Sequence, residues 1–407
     1  MKSILLRNIK SLAGIYKEGT APVCGADMKT LPSCSDAYLM IEKGRIHSFG
    51  NNDDAPERAD EVIDATGRWV LPCWCDSHTH IVYAGSRETE FADKIKGLTY
   101  EEIAARGGGI LNSAKRMYAA GEEELFEAAW ARLEEMKTMG TGAVEIKSGY
   151  GLSYEGELKM LRVIRKLKEK SSLTIKATFL GAHSYPEQYQ SNHEAYIRLL
   201  IEELLPQIAH EGLADFIDVF CEKGYFSVDE TSRILEAGNN YGLQPKVHVN
   251  QFNVLGGVKA SIQAGARSVD HLELIHEEDV LALLSSRTIP VALPGCSLFL
   301  KIPYTPARQL IDAGLPLALA TDYNPGSAPS GNMNLVNALA CIQMQMTPEE
   351  VMNASTLNGA CAMDVQQHIG SITVGKKANL LLTKPIPSLA TLPYSFGSNL
   401  VERNFTA

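Results

Sequence analysis

Short apolar runs rich in β-branched residues alternate with longer helical segments through the middle of the chain. Residues 174–180, for example, read Thr-Ile-Lys-Ala-Thr-Phe-Leu and precede a polar loop and a helical stretch. Such alternation predicts βα units and a parallel sheet. The pattern predicts eight strands, the number that a closed (β/α)8 barrel requires. They are 69–74, 143–147, 174–180, 216–221, 245–249, 267–270, 288–293 and 315–320.

Two of the intervening helices carry clear end signals. The segment 121–139 opens with Glu122, Glu123 and Glu124, which suit the positive end of a helix dipole, and stops before Gly140. Thr347-Pro348-Glu349-Glu350 is typical of an N-cap followed by an N1 proline and the glutamate of a capping box. That second helix is predicted to continue to about Met363.

The two ends of the chain have short strand-like pieces and no βα alternation. Neither end is long enough to bury a good core alone. We therefore predict one small β-sandwich domain built from residues 1–68 and 370–407 together. The (β/α)8 barrel is predicted to be inserted between them, over residues 69–369.

The composition narrows the class of protein. The chain has 407 residues, 45% hydrophobic and 21% charged, which is ordinary for a soluble globular protein. Its net charge of −10 and lack of a basic cluster argue against nucleic acid or an anionic membrane as a partner. The chain has no apolar run of ~18 residues, so no transmembrane helix is predicted. Without paired C-x-x-C motifs or a signal-peptide core, the eight cysteines predict reduced thiols in a cytoplasmic protein.

The sharpest local motif is Asp76-Ser77-His78-Thr79-His80, just past the first predicted strand. Side chains at i and i+2 of an extended chain face the same way, so His78 and His80 are able to reach one metal ion. Taken alone, this pair is a modest signal, because chance or surface histidines produce it often.

Other polar residues strengthen the metal prediction by where they fall. His183, His248, His271 and Asp322 lie in or at the ends of predicted strands. Together with His78 and His80, five of the ten histidines are at such positions. Catalytic groups of this fold come from the carboxyl ends of the strands. For each histidine taken singly, a structural role in the core is the usual alternative to metal binding. That alternative explains the set of five histidines poorly. His78, His80, His248 and Asp322 would supply three imidazoles and a carboxylate to a water-activating Zn2+ or Fe ion.

Further residues indicate the substrate. Arg87 follows the H-x-H pair and suits bidentate recognition of a carboxylate, so a small anionic substrate is predicted. Pairing with Glu88 or Glu90 is the alternative for Arg87. Tyr150 lies between two glycines after the second strand, and these glycines allow the backbone to lie close to a ligand. Loop packing is the alternative role for Tyr150. Asn324, in the turn after the last strand, offers its amide and nearby backbone N–H groups to a second carboxylate or a carbonyl. The run 106–110 is glycine-rich and predicts a flexible active-site loop.

These motifs resemble those of the metal-dependent amidohydrolase superfamily and, within it, the imidazolonepropionases of histidine degradation. The resemblance covers nearly the whole chain. The H-x-H pair is shared by the superfamily, whereas the Gly-Tyr-Gly-Leu, Gly-Ala-His and Asp-x-Asn-Pro-Gly-Ser runs narrow the choice. The matching runs are Asp76-Ser77-His78-Thr79-His80, Gly85-Ser86-Arg87, Gly107-Gly108-Gly109-Ile110-Leu111, Lys147-Ser148-Gly149-Tyr150-Gly151, Gly181-Ala182-His183, His248-Val249-Asn250-Gln251-Phe252, Asp270-His271-Leu272-Glu273 and Thr321-Asp322-Tyr323-Asn324-Pro325-Gly326-Ser327.

The resemblance implies a barrel flanked by a small β domain, a single zinc or iron ion per chain and a homodimer. It implies metal ligands at His78, His80, His248 and Asp322, and catalytic groups at Asp322 and His271. It implies substrate contacts at Arg87, Tyr150, His183, Gln251 and Asn324, with Gly326 and Ser327 in the same loop.

The implied reaction is hydrolysis of the ring C–N amide bond of 4-imidazolone-5-propanoate to N-formimidoyl-L-glutamate by metal-activated water. Asp322 is expected to orient the water and pass a proton to the leaving nitrogen, His271 to stabilise the oxyanion, and Arg87 to hold the propionate.

Gln251 weighs against the main alternative function, a deaminase. Many related deaminases carry a glutamate three residues after the histidine of the fifth strand, where this chain has Gln251, which does not transfer protons in that way. A deaminase of a cyclic amidine such as cytosine or guanine would use the same metal site. A barrel that serves only as a scaffold is the remaining alternative, and such a protein typically loses metal ligands.

Overall fold

The computed structural model describes residues 2–20, 22–98, 102 and 108–406. Arg106 and Gly107 of the predicted glycine-rich loop lie outside these residues. The strands are β1 Ile4–Ala13, β2 Ser33–Glu42, β3 Arg45–Asn51, β4 Glu61–Asp64, β5 Trp69–Pro72, β6 Trp74–Thr79, β7 Thr141–Lys147, β8 Thr174–Ala182, β9 Phe216–Cys221, β10 Gln244–Val249, β11 Ser268–His271, β12 Ile289–Ala292, β13 Ala318–Leu319, β14 Leu380–Thr383 and β15 Val401–Phe405.

Helices connect the strands and cover the barrel. Within the described residues the α-helices are α1 Glu88–Ile95, α2 Ile110–Ala119, α3 Glu122–Thr138, α4 Tyr154–Lys170, α5 His193–Arg198, α6 Leu205–Glu211, α7 Val228–Asn240, α8 Gly257–Gln263, α9 Glu277–Leu284, α10 Pro294–Leu300, α11 Ala307–Asp312, α12 Met333–Met344, α13 Pro348–Asn353, α14 Gly359–Ala362 and α15 Thr391–Tyr394. No helix of the described residues is both long enough and apolar enough to cross a membrane.

The strands from β6 to β13 form an eight-stranded sheet in chain order, with parallel neighbours. It closes where β6 meets the segment after β13. There Thr79 bridges Tyr323, and the Asp322 N–H donates to the His78 carbonyl at 3.0 Å. The predicted (β/α)8 barrel is confirmed, and its closure brings His78 beside Asp322.

The two termini build a separate seven-stranded sheet in the order β15-β14-β5-β1-β2-β3, with β4 also paired to β1. The sheet forks at β1, because Ile4–Arg7 pairs with β4 and Ser11–Leu12 pairs with β5. Leu6, Ile9 and Leu12 pack in its core with Leu380 and Phe405 from the other end of the chain. The predicted β unit from both termini is confirmed, while the domain boundaries at 68/69 and 369/370 stay a prediction.

The placement of the first predicted barrel strand, 69–74, is wrong. Trp69–Pro72 is β5 of the terminal sheet, where it pairs with β1 and β14. The barrel begins instead with β6, Trp74–Thr79, so His78 lies on the strand itself. The hydrophobic pattern does not separate the two strands, because both are largely buried and only Cys73 lies between them.

The predicted helix ends agree closely with the structure. Helix α3 is followed by Gly140 at φ +104°, a backbone conformation that favours glycine. Thr347 and Glu350 form the predicted capping box of α13. The continuation predicted to about Met363 consists of α13, a π-helical stretch at Ala354–Asn358 and α14, which ends at Ala362.

Candidate metal centre and active site

His78 and His80 face the same space at the carboxyl end of β6. Their Nε2 atoms are 3.3 Å apart, as expected for side chains two positions apart on a strand. Asp322 Oδ1 lies 3.6 Å from His78 Nε2 and 3.5 Å from His80 Nε2. All three side chains are buried, and each offers one ligand atom within 4.8 Å of the others.

His248 joins this group through His78. The two rings lie 4.4 Å apart between centroids, and His78, His248 and His271 also offer ligand atoms within 4.8 Å of one another. Nε2 of His248 is buried and has no hydrogen-bond partner among the described residues. A buried nitrogen without a partner is costly unless something binds it. These donor atoms fit a divalent ion that takes imidazole and carboxylate ligands.

Two aspartates fix which nitrogen each of two histidines presents. Asp270 Oδ2 lies 2.6 Å from His78 Nδ1, and Asp218 Oδ1 lies 3.0 Å from His248 Nδ1. Because each carboxylate accepts from Nδ1–H, the Nε2 lone pair is directed into the site. Burial, followed by the nearby Lys147 charge, holds the pKa of His78 well below its ordinary value, so this imidazole is neutral, as a metal requires.

His271 lies at the end of β11 with its own carboxylate partner. Its Nδ1 is 3.1 Å from Glu273 Oε1, and its carbonyl accepts from the Thr305 hydroxyl at 2.6 Å. Burial lowers the pKa of His271, but the charge and hydrogen bond of Glu273 outweigh it, so the pKa is raised overall. Glu273 therefore favours an imidazole that is able to donate a hydrogen bond.

Asp322 is held by the turn that follows β13. Its backbone has φ +55°, and burial raises the pKa of its carboxyl group. Asn324 organises this turn, because its Nδ2 donates to the Asp322 carbonyl at 2.6 Å and its Oδ1 accepts from the N–H groups of Gly326 and Ser327 at 2.8 Å. Ser327 Oγ donates to Asp322 Oδ2 at 3.4 Å.

Arg87 lies against the same turn. A Cβ on Gly326 would overlap the Arg87 guanidinium group, chiefly at Nη1, so a larger residue there would require the Arg87 side chain to shift. Nε and Nη2 of Arg87 donate to Glu90 Oε2 at 2.9 and 2.6 Å. The alternative prediction for Arg87, an ion pair with Glu90, is therefore observed. The same guanidinium group also lies beside Gly326, at the edge of the site.

Tyr150 and His183 form another part of the wall, beside His80. The His183 ring stacks on His80 with centroids 5.4 Å apart, and Tyr150 lies 5.4 Å from His183. Nδ1 of His183 is 3.0 Å from the Gly149 carbonyl. Burial, followed by the effect of His248, lowers the pKa of His183 to about 3, so the ring is neutral.

Glu157 holds the loop that carries Tyr150. From α4, its Oε1 accepts from the N–H groups of Gly151 and Leu152 at 2.8 and 2.9 Å, and its Oε2 accepts from the Gly149 N–H at 3.1 Å. Three N–H groups converging on one buried carboxylate fix the backbone on both sides of Tyr150.

Glu157→Gln is therefore expected to raise KM for the substrate about tenfold, because the amide brings an NH2 group against backbone N–H donors. Metal content, measured by elemental analysis, should stay at the wild-type value. The matched control is Glu155→Gln, an exposed change on the same helix. An unchanged KM in a folded Glu157→Gln protein would show that the loop does not depend on this carboxylate.

Gln251 is buried and contacts a cysteine. Its Nε2 lies 3.3 Å from Cys296 Sγ. The Cys296 thiol is also within hydrogen-bonding reach of Asp322 and Ser327, and burial raises its pKa well above the ordinary value. Cys296, predicted only as one of eight reduced thiols, is therefore part of the wall of the site.

Several residues of the site are not identified by the sequence alone: Asp218, Asp270, Glu273, Glu157, Cys296 and the buried lysines Lys147 and Lys246. A signal is present for four of them. Asp218, Asp270, Lys147 and Lys246 are charged residues inside buried parallel strands. Charges are almost never fully buried unless they are paired, so such positions indicate partners in the barrel interior.

The sequence model of the amidohydrolase family matches residues 69–402. The imidazolonepropionase of Christiangramia forsetii is 58% identical over 401 residues, which cover 98% of this chain and 98% of that protein. The imidazolonepropionase of Flavobacterium johnsoniae is 59% identical over 399 residues, covering 98% and 97%.

This chain belongs to the imidazolonepropionases of the amidohydrolase family. Two solved structures have a fold similar to that of this imidazolonepropionase. An adenosine deaminase from Xanthomonas campestris with bound zinc has a TM-score of 0.73 at 16% identity and covers 98% of this chain and 91% of its own. A triazine hydrolase variant has a TM-score of 0.73 at 14% identity, with coverage of 99% and 93%. At these identities both likenesses show the fold alone.

Proposed function

We propose that this protein hydrolyses the ring C–N amide bond of 4-imidazolone-5-propanoate to N-formimidoyl-L-glutamate, a step of histidine degradation. The observation that carries the proposal is the 58% identity to an imidazolonepropionase over 98% of both chains. The site supports it with a metal-ligand set, a carboxylate for proton transfer and an arginine for the propionate of the substrate.

The metal in this proposal is one divalent ion per chain, zinc or iron, held by His78, His80, His248 and Asp322. The converging Nε2 atoms and the unpartnered Nε2 of His248 support this ligand set. When bound, the ion supplies Lewis acidity and a water molecule with a lowered pKa. The residues around it orient the substrate and move the protons.

Asp322 has the position needed for proton transfer. Its Oδ1 faces the two histidines of β6, whereas its Oδ2 faces the Ser327 hydroxyl, so the two oxygens have separate partners. One oxygen is able to bind the ion while the other accepts the proton of the attacking water. The same oxygen then delivers that proton to the leaving ring nitrogen as the C–N bond breaks.

His271 serves as the hydrogen-bond donor to the developing oxyanion of the ring carbonyl. Glu273 accepts from Nδ1, which leaves Nε2 available to the substrate. A donor held in place before the reaction stabilises charge that develops only in the transition state. His183, Tyr150 and Gln251 surround the ring, and the turn of Asn324, Gly326 and Ser327 completes the pocket.

Arg87 is assigned to the propionate tail, and its Nη1 faces Gly326 at the edge of the site. Arg87→Ala is expected to raise KM by about 10- to 100-fold with a smaller effect on kcat, since a charge-assisted pair contributes roughly 1.5–3 kcal/mol. Steady-state kinetics measure this. Arg233→Ala is the control, because it removes a surface arginine–glutamate pair with Glu194. Wild-type KM in Arg87→Ala would make the tail assignment wrong.

The deaminase alternative is distinguished by its product. The metal-loaded protein should convert freshly made 4-imidazolone-5-propanoate to N-formimidoyl-L-glutamate, detected by mass spectrometry against a no-enzyme control. It should release no ammonia from cytosine or guanine, since Gln251 lacks the proton-transfer capacity of a glutamate. Ammonia release from either base without ring opening of the imidazolone would favour the deaminase.

A further inference from the structure

Two lysines lie inside the barrel beneath the histidines. Lys147 on β7 and Lys246 on β10 both have 0% exposure. A buried ammonium group is expensive, and its presence in a core is weak evidence for a gain in stability. The proposed reaction uses neither lysine directly, so their contacts indicate why they are there.

Lys147 connects two carboxylates. Its Nζ lies 2.6 Å from Glu145 Oε1 and 2.7 Å from Asp218 Oδ2. Asp218 in turn orients His248. Its Oδ1 accepts from the His248 backbone N–H at 3.2 Å, and both of its oxygens lie 3.0 Å from His248 Nδ1. The lysine therefore holds the carboxylate that orients His248.

Lys246 acts on the neighbouring histidine. Its Nζ donates to Glu145 Oε2 and, at 2.9 Å, to the carbonyl of Ser77, the residue before His78 on β6. It also lies 3.9 Å from Asp270 Oδ2, the oxygen that accepts from His78 Nδ1. The two lysines share Glu145, so one buried network reaches both histidines.

We propose that Lys147 and Lys246 are positioning residues that hold Asp218, Asp270 and strand β6 so that His248 and His78 present Nε2 to the metal. This inference rests on the proposed metal site and adds residues that do not touch the metal themselves. Outer hydrogen-bond partners of metal ligands commonly contribute 10- to 100-fold to metal affinity.

Lys147→Met and Lys246→Met test the proposal, because methionine keeps much of the side-chain volume without the charge. The matched control is Lys376→Met. Lys376 is also buried, but its ammonium group is held by the carbonyls of Gln366 and Ile369 and by the hydroxyl of Ser371, rather than by the carboxylates that hold His78 and His248.

The readout is zinc affinity of the full-length protein, measured by competition with a chromophoric chelator, together with the thermal midpoint of the metal-free protein. Lys147→Met and Lys246→Met should bind zinc about 10- to 100-fold more weakly. They should also change the visible absorption of the cobalt-substituted protein, which reports ligand geometry. Lys376→Met should keep wild-type affinity and spectrum even if its thermal midpoint falls.

Zinc affinity within twofold of wild type in both Lys147→Met and Lys246→Met would overturn the proposal. If either protein fails to fold, Glu145→Gln keeps the shape of the shared carboxylate and is expected to weaken zinc binding in the same direction, and wild-type affinity there would also overturn it. These results do not depend on turnover. A wild-type protein that binds zinc tightly but forms no product would contradict the proposed function instead.

Discussion

Asp322→Asn is expected to lower kcat by about 10³-fold or more, because one residue serves both as a metal ligand and in proton transfer. The asparagine keeps the size of the side chain and tolerates the left-handed backbone at φ +55°. It no longer accepts a proton from water or delivers one to the leaving nitrogen. It also replaces a charged metal ligand by a neutral one.

The measurement is kcat with metal content determined on the same sample, so that slow chemistry is separated from lost metal. Reloading Asp322→Asn with a full equivalent of zinc should leave kcat low. Asp312→Asn is the control, because that side chain is 59% exposed and forms an ion pair with Arg308 at 3.4 Å on the protein surface. Wild-type kcat in metal-loaded Asp322→Asn would remove Asp322 from proton transfer.

The second large effect is expected at His271. His271→Asn should lower kcat by about 10²- to 10³-fold, since the shorter amide no longer places a donor where the imidazole Nε2 holds one for the developing oxyanion, while the four proposed metal ligands stay. Asparagine is chosen because His271 has φ +89°, where most other residues would strain the backbone.

Metal content and substrate KM should change little in His271→Asn, and this separates a transition-state role from a binding role. The exposed His210→Asn provides the control for loss of a histidine. A raised KM with an unchanged kcat would instead make His271 a substrate contact.

Strand periodicity and the positions of the histidines are enough to predict the barrel and to bring His78, His80, His248 and Asp322 into one group. This succeeds because the carboxyl ends of parallel strands meet on one face of the barrel. The assignment of 69–74 to the barrel fails for a related reason. Two buried strands separated by one residue have the same hydrophobic pattern, and only pairing partners distinguish them.

The partners of the site residues are harder to predict from the sequence. Glu90 is three positions from Arg87, so their ion pair is predictable from spacing, whereas Lys147 and Asp218 are 71 positions apart and meet only in the closed barrel. Asn324 illustrates a second limit. The sequence assigns its amide to the substrate, but in the structure both ends of the amide fold the turn that holds Asp322.

A metal titration of turnover tests the central claim most directly. Chelator-treated protein, shown to be folded by circular dichroism, is given zinc or ferrous ion in fractional equivalents, and N-formimidoyl-L-glutamate formation from 4-imidazolone-5-propanoate is measured at each step. The account predicts no product without metal and a linear rise that breaks at one ion per chain. Product from the metal-free protein, or none from the folded, metal-loaded protein, would contradict it.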